Sequence, residues 1–364
     1  MVEALRRIWE RGDAACVLDD RLRGPARQRQ LAALAPTIVL DATGETRLLE
    51  ASGLAEGDAL CVMTSGSTAD PKAAVLTMDA VVASARATST ALGVDRLEHR
   101  WLCCLPCSHI GGLSVVTRAL LTDTPLSMLE RPTPASLVLA AERGATHVSL
   151  VATALRRVDP ELFELILLGG AAPPRDLPPH VVATYGMTET GSGVVYDGRA
   201  LAGVELAIDR PDAERRGEIL VRGPMLLRSY RDRPAPLVTG PDGTTGWFPT
   251  GDLGQLSSEG VLAVKGRASE VIVTGAEKVY PSDVEAIIAG LPGVAEVAVW
   301  KRPDAEWDER VVAWVVSDGT PPSLASVRAA VSEAVAPYAA PKELEIVEAL
   351  PKTDNGKIRR SLLS

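Results

Sequence analysis

Residues 62–72, Val-Met-Thr-Ser-Gly-Ser-Thr-Ala-Asp-Pro-Lys, put four hydroxyls into five positions (Thr64, Ser65, Ser67 and Thr68) around Gly66, with Lys72 following Pro71. A packed core does not want that composition. A turn whose backbone N–H groups and hydroxyls close around an anion such as phosphate does. Alone, the stretch reads equally well as a polar surface hairpin. It is not a Walker A loop, which needs Gly, four residues and Gly-Lys-Ser/Thr opening a helix. Here the apolar run Ala59 to Met63 precedes the loop and Ala73 to Thr77 follows it, so the expectation is strand–loop–strand. Cys103, Cys104 and Cys107 cluster near His109, and Cys104-Leu105-Pro106-Cys107 has the C-x-x-C form. A zinc site would need a fourth ligand and a second spaced pair, and neither is evident. These cysteines read better as small hydrophobes.

The chain has 364 residues, 46% hydrophobic and 23% charged, and a net charge of -9. That length suits two or three domains. The acidic balance disfavours a nucleic-acid partner, which needs a basic footprint. Residues 2–10 carry Glu3, Arg6 and Arg7 with no apolar segment after them, so no signal peptide is expected. No apolar run approaches the roughly 20 residues of a membrane span. Five cysteines are too few for a disulfide framework at this size, and a cytoplasmic location is expected.

Elements must hold these residues. Residues 1–60 read as loosely organised, with a short strand at 37–40. Thr77 caps a helix over 78–92 that Gly93 ends. Residues 101–105 form a strand that runs into the Gly111-Gly112 turn and a helix. Thr133-Pro134 opens a helix to about 143, 147–151 is a strand, Thr153 caps a short helix, and strands follow at 165–168 and 181–185. This alternation predicts an α/β fold, a mostly parallel sheet with helices on its faces. Ligands of such sheets bind beyond the carboxyl ends of the strands. Four segments fall there: Thr64-Ser65-Gly66, His109-Ile110-Gly111, Gly169-Gly170-Ala171, and Gly186 to Thr190. Residues 203–265 change to short strands between Gly and Pro turns, a small barrel-like part. Ser282-Asp283-Val284-Glu285 reads as a capping box that starts a helix with Val284, Ile287, Ile288 and Leu291 on one side. Strands at 294–300, 310–316 and 343–347 and a helix at 324–336 complete a separate α+β domain. The expected division is 1–266 and 267–364.

Five segments then line up in order: 64–72; Tyr185-Gly186-Met187-Thr188-Glu189-Thr190; Trp247 to Gly254, with Thr250-Gly251-Asp252; Lys265-Gly266-Arg267 with 271–281; and Pro351-Lys352-Thr353-Asp354-Asn355-Gly356-Lys357. Together they resemble the acyl-CoA synthetase branch of the adenylate-forming superfamily, from about residue 58 to the C-terminus. That chemistry joins a carboxylate to the α-phosphate of ATP, so it needs positive charge and aimed donors more than a nucleophile. The resemblance implies ATP, Mg²⁺ and coenzyme A. It implies that Thr64, Ser65, Gly66 and Thr68 hold the β- and γ-phosphates with Lys72 nearby, that Glu189 carries Mg²⁺, and that Thr188 bonds the α-phosphate. Tyr185, with Gly186, would stack on adenine beside Gly169, Gly170 and Ala171. Asp252 would accept from the ribose hydroxyls with Arg267 assisting, and Lys357 would be the adenylating lysine.

The resemblance further implies a small mobile C-terminal domain that swings between two poses. One pose brings Lys357 to the phosphates. The other brings Thr274-Gly275-Ala276 to a thiol tunnel. The pivot is commonly Asp or Lys; here it is Ser269. The chain is short for the family. Its compactness and the segment 105–114 around His109 resemble the o-succinylbenzoate–CoA ligases of menaquinone biosynthesis, especially actinobacterial ones. His109 would then meet the acid at the pocket wall. The alternatives are an acyl-CoA synthetase for another aryl or short-chain carboxylic acid, and a non-catalytic nucleotide-binding protein on the same fold. The partners expected are a small-molecule carboxylic acid, ATP and CoA, with no nucleic acid and no membrane span; a homo-oligomer is compatible with this reading.

Overall fold

In the computed structural model, residues 1–41, 44–48, 53–64, 72–174, 176–275, 277–352 and 358–363 are described. Contacts divide the chain into two compact units: 1–206 with 221–239 and 244–248, and 207–220 with 240–243 and 249–364.

The first unit is built on a seven-stranded sheet ordered Arg199–Ala200, Ser192–Tyr196, Val181–Met187, Leu165–Gly169, His147–Val151, Trp101–Cys103, Leu126–Met128. The last five of these pair in parallel, and the first two add antiparallel. Buried Leu102, Val148, Leu150, Ile166 and Leu168 pack against Leu137 and Ala140 of the helix Pro134–Glu142. Burial of both faces explains the near-continuous apolar strands that the sequence shows. A second, antiparallel sheet orders Ser229–Tyr230, Ala73–Thr77, Asp58–Met63. Thr77 accepts from Ala80 N and caps the helix Met78–Ala91, and Thr133 and Ser136 form a capping box at the helix that follows.

The N-terminal part is more ordered than its sequence suggested. Helices span Val2–Glu10 and Gly24–Leu34, the second with proline in its first turn. Trp9 Nε1 donates to Ala59 O at 3.0 Å, and Ala15 bridges to Leu60. Leu34 is buried with Cys61, Ala73 and Val75. These anchors are long-range, so local pattern did not reveal them. The strand Trp101–Cys103 stops short of 105. The short helix Ala152–Leu155 begins before Thr153, with Val151 at its N-cap and no side-chain cap.

The second unit carries most of a four-stranded sheet, Glu205–Asp209, Arg216–Arg222, Phe248–Leu256, Leu262–Arg267, on which the expected barrel-like part falls. It also holds a five-stranded sheet in which Glu296–Asp304 and Asp308–Val316 form a nine-pair antiparallel hairpin, with Glu343–Ile346 parallel beside it. Helices Pro281–Ile288 and Leu324–Ala334 cover this sheet through Val284, Ile288, Val327 and Val331. The expected capping box at 282–285 does not form. Pro281 starts the helix two positions earlier than that box would, with Tyr280 at the N-cap. Ser282 Oγ donates instead to Lys265 O (2.5 Å), and Glu285 accepts from Val299 N (2.8 Å).

Candidate active site

The flanks of the 64–72 loop are closed by Thr64 N donating to Lys72 O at 2.8 Å, continuing the Met63–Ala73 register of the hairpin below. Ser65, Gly66 and Thr68 lie outside the described residues. On the other side of Ala73–Thr77, the short strand Ser229–Tyr230 pairs Tyr230 with Ala74, and Arg231 N donates to Ala73 O (2.8 Å). That pairing sets Tyr230, which is buried, between two expected site residues. Its hydroxyl donates to Glu189 Oε1 at 2.9 Å, and Lys72 Nζ lies 5.9 Å from its ring centroid. Leu227 N donates to Glu189 O (2.8 Å), so backbone and side chain of Glu189 are tied to one segment. Arg228 braces that segment from below through a bidentate contact with buried Asp58, 2.8 and 2.7 Å.

Tyr230 was missed in the sequence. The available signal was an aromatic residue inside the polar run Arg228-Ser-Tyr-Arg-Asp-Arg-Pro234, where no core demands one.

Glu189 itself sits in a one-turn 3₁₀ segment, Thr188–Thr190, joining Val181–Met187 to its antiparallel neighbour. Thr190 Oγ1 accepts from Met187 N (2.9 Å) and donates to Ser192 O (2.7 Å), which fixes the turn. Thr188 and Thr190 are buried and Glu189 is half-buried. A Cβ on Gly186 would lie 2.1 Å from Ser192 O, so only glycine fits there. Tyr185, half-buried, precedes it. Gly169 ends the adjacent parallel strand, and Gly170 and Ala171 follow it. A Cβ on Gly169 would meet Thr184 Oγ1 at 2.8 Å, and Gly170 has φ +86°. The ends of neighbouring parallel strands therefore bring these two segments to one edge.

His109 follows the strand Trp101–Cys103, two strands along the sheet from Leu165–Gly169. It is the N-cap residue of the helix Ile110–Leu121, whose Ser114 Oγ meets Ser192 Oγ at 3.3 Å. A Cβ on Gly112 would lie 2.5 Å from the carbonyls of Leu105 and Pro106, so the loop packs directly on the helix backbone. Arg21 Nη2 lies 3.4 Å from His109 Nε2. Cys103 and Cys107 have their sulfurs 3.6 Å apart, and burial pushes the Cys104 thiol up to about 12. That contact suits the expected role of buried thiols as packing groups.

In the second unit, Asp252 and Arg267 are register partners, with Arg267 Nε 2.9 Å from Asp252 Oδ1 and Arg267 Nη1 donating to Thr250 O (3.0 Å). Thr250 Oγ1 accepts from Asp252 N (3.1 Å) and donates to Ile219 O (2.8 Å), which holds buried Asp252 in place. Ser269 is exposed in the turn Ala268–Glu270 directly after the arginine. Thr274 is buried. Gly275 has φ +57°, and a Cβ there would lie 2.4 Å from the Trp307 ring. Lys357 lies outside the described residues; Lys352 and Ile358 pair antiparallel, and Lys352 Nζ holds Glu296 at 2.7 Å. Arg360 joins Glu270 (2.9 Å), next to Ser269, to Glu285 (2.8 Å).

The donor set suits Mg²⁺. A hard cation bound to a nucleotide takes one or two protein carboxylate oxygens and completes its shell with phosphate and water. Glu189 offers a half-buried carboxylate whose orientation Tyr230 already fixes.

A parallel α/β unit with glycine turns, a lysine-flanked loop and an oriented carboxylate has the features of a nucleotide-using enzyme class. The chain belongs to the AMP-binding enzyme family, which matches residues 3–231, and the AMP-binding enzyme C-terminal domain matches 283–357. It is 38% identical to a Mycobacterium tuberculosis protein named probable 2-succinylbenzoate–CoA ligase, across 93% of each chain. It is 34% identical to the 2-succinylbenzoate–CoA ligase of Listeria monocytogenes, over 82% of this chain and 68% of that one. Among solved structures it is similar to o-succinylbenzoate CoA synthetase from Bacillus subtilis with the acyl-adenylate OSB-AMP. The TM-score is 0.73 at 29% identity, covering 88% of this chain and 72% of that one. The same synthetase with ATP and magnesium matches at TM-score 0.75 and 28% identity, covering 99% and 81%. Among the described residues, no helix is long and apolar enough to cross a membrane.

Proposed function

We propose that this chain is an AMP-forming acid–CoA ligase whose acid is o-succinylbenzoate, acting in the cytoplasm in menaquinone biosynthesis. A carboxylate oxygen attacks the α-phosphorus of ATP and pyrophosphate leaves. The CoA thiol then attacks the acyl carbon of the adenylate, giving the thioester and AMP. The observation that carries this reading is the junction of Lys72 and Glu189 on Tyr230, beside the glycine turns at the strand ends. It supports a cation and an oriented carboxylate where triphosphate and metal would meet.

In this reading Thr64, Ser65, Gly66, Thr68 and Lys72 hold the outgoing phosphates. Glu189 holds Mg²⁺, which when bound neutralises phosphate charge. Thr188 bonds the α-phosphate, and Tyr185 stacks on adenine with Gly169, Gly170, Ala171 and Gly186 letting the base approach. Asp252, its plane set by Arg267, accepts from the ribose hydroxyls. Lys357 supplies the charge that meets the attacking and α-phosphate oxygens, a task for a compact ammonium on a flexible stem. Ser269 is the hinge of a mobile segment 267–364, and Thr274 and Gly275 line the thiol path in its second pose.

The test is a carboxylic-acid panel read by pyrophosphate release without CoA and by AMP with CoA. The expected result is turnover of o-succinylbenzoate well above other aryl and short-chain acids. Tight ATP binding with no turnover of any acid would instead mark a non-catalytic binding protein.

A further inference from the structure

We propose that Asp283 is a positioning residue that holds the segment 267–364 in one working pose: its carboxylate closes on Lys265 and Arg216 across the Ser269 pivot. This rests on the reading of Ser269 as the hinge of a segment that serves the two half-reactions in two poses. Such a segment needs contacts with the rest of the chain that are strong enough to define a pose and weak enough to open at every turnover.

The contacts around Asp283 that cross the pivot are polar. Lys265 Nζ donates to Asp283 Oδ1 at 3.1 Å, and Arg216 Nη1 lies 3.5 Å from Asp283 Oδ2. Each carboxylate oxygen thus meets a cation. One comes from the strand Leu262–Arg267 that leads into the hinge, the other from the strand Arg216–Arg222. Beside them, Ser282 Oγ donates to Lys265 O at 2.5 Å. Buried Tyr280 has its ring centroid 4.8 Å from Arg216 Cζ, and its hydroxyl donates to Asp212 Oδ2 at 3.4 Å. All these residues belong to the second unit.

The apolar clusters of the segment stay on their own side of the pivot. The cluster around Ile272, Val284 and Val327 and that around Trp314 and Leu363 draw every member from residues 272–363. A permanent contact buries apolar surface, whereas one that opens is more polar. Asp283 and Lys265 keep 20% and 24% exposure, so water receives both charges when the pair parts. A fully buried pair would resist opening. Asp283 is also well placed to act on the whole segment. It stands in the first turn of the helix Pro281–Ile288, whose Val284 and Ile288 enter the first of those clusters. A carboxylate there needs only the helix dipole for a local role; two cations from beyond the pivot add a catch.

The experiment locks that catch. Lys265→Cys and Asp283→Cys are combined and the two thiols joined by a short bis-maleimide, and wild type treated alike sets the baseline for the five native cysteines. Pyrophosphate release without CoA and thiolysis of preformed o-succinylbenzoyl adenylate are each followed through a single turnover. The locked protein is expected to keep one half-reaction within about threefold of the unlinked double variant and to lose the other by about tenfold or more. Asp283→Asn, which keeps the shape and removes the charge, is expected to shift the ratio of the two rates about 2- to 5-fold, the population change that a partly exposed ion pair supplies. It decides the matter if the double variant is poorly folded, because a folding defect lowers both rates alike and leaves their ratio unmoved. A locked protein that runs both halves or neither, or an Asn variant with the wild-type ratio, overturns this assignment, while wild-type turnover of o-succinylbenzoate leaves the proposed function standing. Untreated wild type that runs neither half overturns that function and this assignment with it.

Discussion

Tyr230→Phe removes one oxygen and little else, and its consequence is calculable. The hydroxyl donates to Glu189 Oε1 at 2.9 Å from a ring that is 8% exposed. Hydrogen bonds to charged groups contribute about 1.5–3 kcal/mol. Glu189 is half-buried, so water recovers part of that, leaving about 1–2 kcal/mol. If the bond orients Glu189 for Mg²⁺, the loss appears where metal and triphosphate are engaged. At 1.36 kcal/mol per tenfold, kcat/KM for ATP in the adenylating half-reaction should fall about 5- to 30-fold. The Mg²⁺ concentration for half-maximal rate should rise in step. Thioester formation from preformed adenylate should change less than about twofold, because pyrophosphate has gone. The assay is pyrophosphate release against Mg²⁺ and ATP, with a single-turnover thiolysis control. An unchanged Mg²⁺ dependence would refute the reasoning, and equal losses in both half-reactions would reduce Tyr230 to a packing residue.

Other perturbations separate chemistry from scaffold. Lys357→Ala should lower adenylate formation by about 10²–10³-fold, the cost of one aimed donor at developing charge, and spare thiolysis of preformed adenylate; stopped-flow measurement of the two halves checks it. Asp58→Asn breaks a pair whose carboxylate is fully buried but whose Arg228 is 42% exposed. Arg228 therefore regains water, and about 2 kcal/mol of stability should be lost in urea at unchanged m-value. The pH dependence of stability should carry a mark of His147. Burial, with His99 and Arg118 nearby, lowers its folded value from 6.5 to about 4. Between those values the unfolded chain binds the proton and the folded one does not, so stability falls as pH drops from about 6.5 to about 4. His147→Gln should flatten that slope in urea titrations across the same range.

How much of this was legible follows from the range of each interaction. The caps at Thr77 and Thr133 are read from a few neighbouring residues, and both form. The parallel strands were visible as apolar runs with glycine turns at their carboxyl ends, which located Gly169–Ala171 and Gly186–Thr190 on one edge. The pattern at Ser282–Glu285 was locally sound and still failed, because Lys265 O, Val299 N and Arg360 claim those side chains from elsewhere in the fold. Tyr230 was out of reach for the same reason: its partner Glu189 lies 41 residues away in the chain, and no local periodicity encodes such a meeting.

The glycines of the site show why motif and mechanism must be argued separately. Gly186 stands in the second of the five segments, yet its smallness is demanded by Ser192 O, 2.1 Å from where a Cβ would be. Any residue there would break the antiparallel pairing that shapes the Glu189 turn, whether or not a nucleotide ever bound. Gly170 is different. Its neighbour is a single Val151 methyl at 3.4 Å, and what reserves it for glycine is φ +86°. That conformation bends the chain at the end of a parallel strand, the place where a ligand edge would approach backbone. Gly186 thus secures the position of Glu189 from behind while Gly170 shapes an open rim. A substitution at 186 should therefore cost stability and activity together by breaking the pairing behind Glu189, whereas Gly170→Ala should lower the urea midpoint by the cost of a left-handed backbone, about 1 kcal/mol, and should also raise KM for ATP.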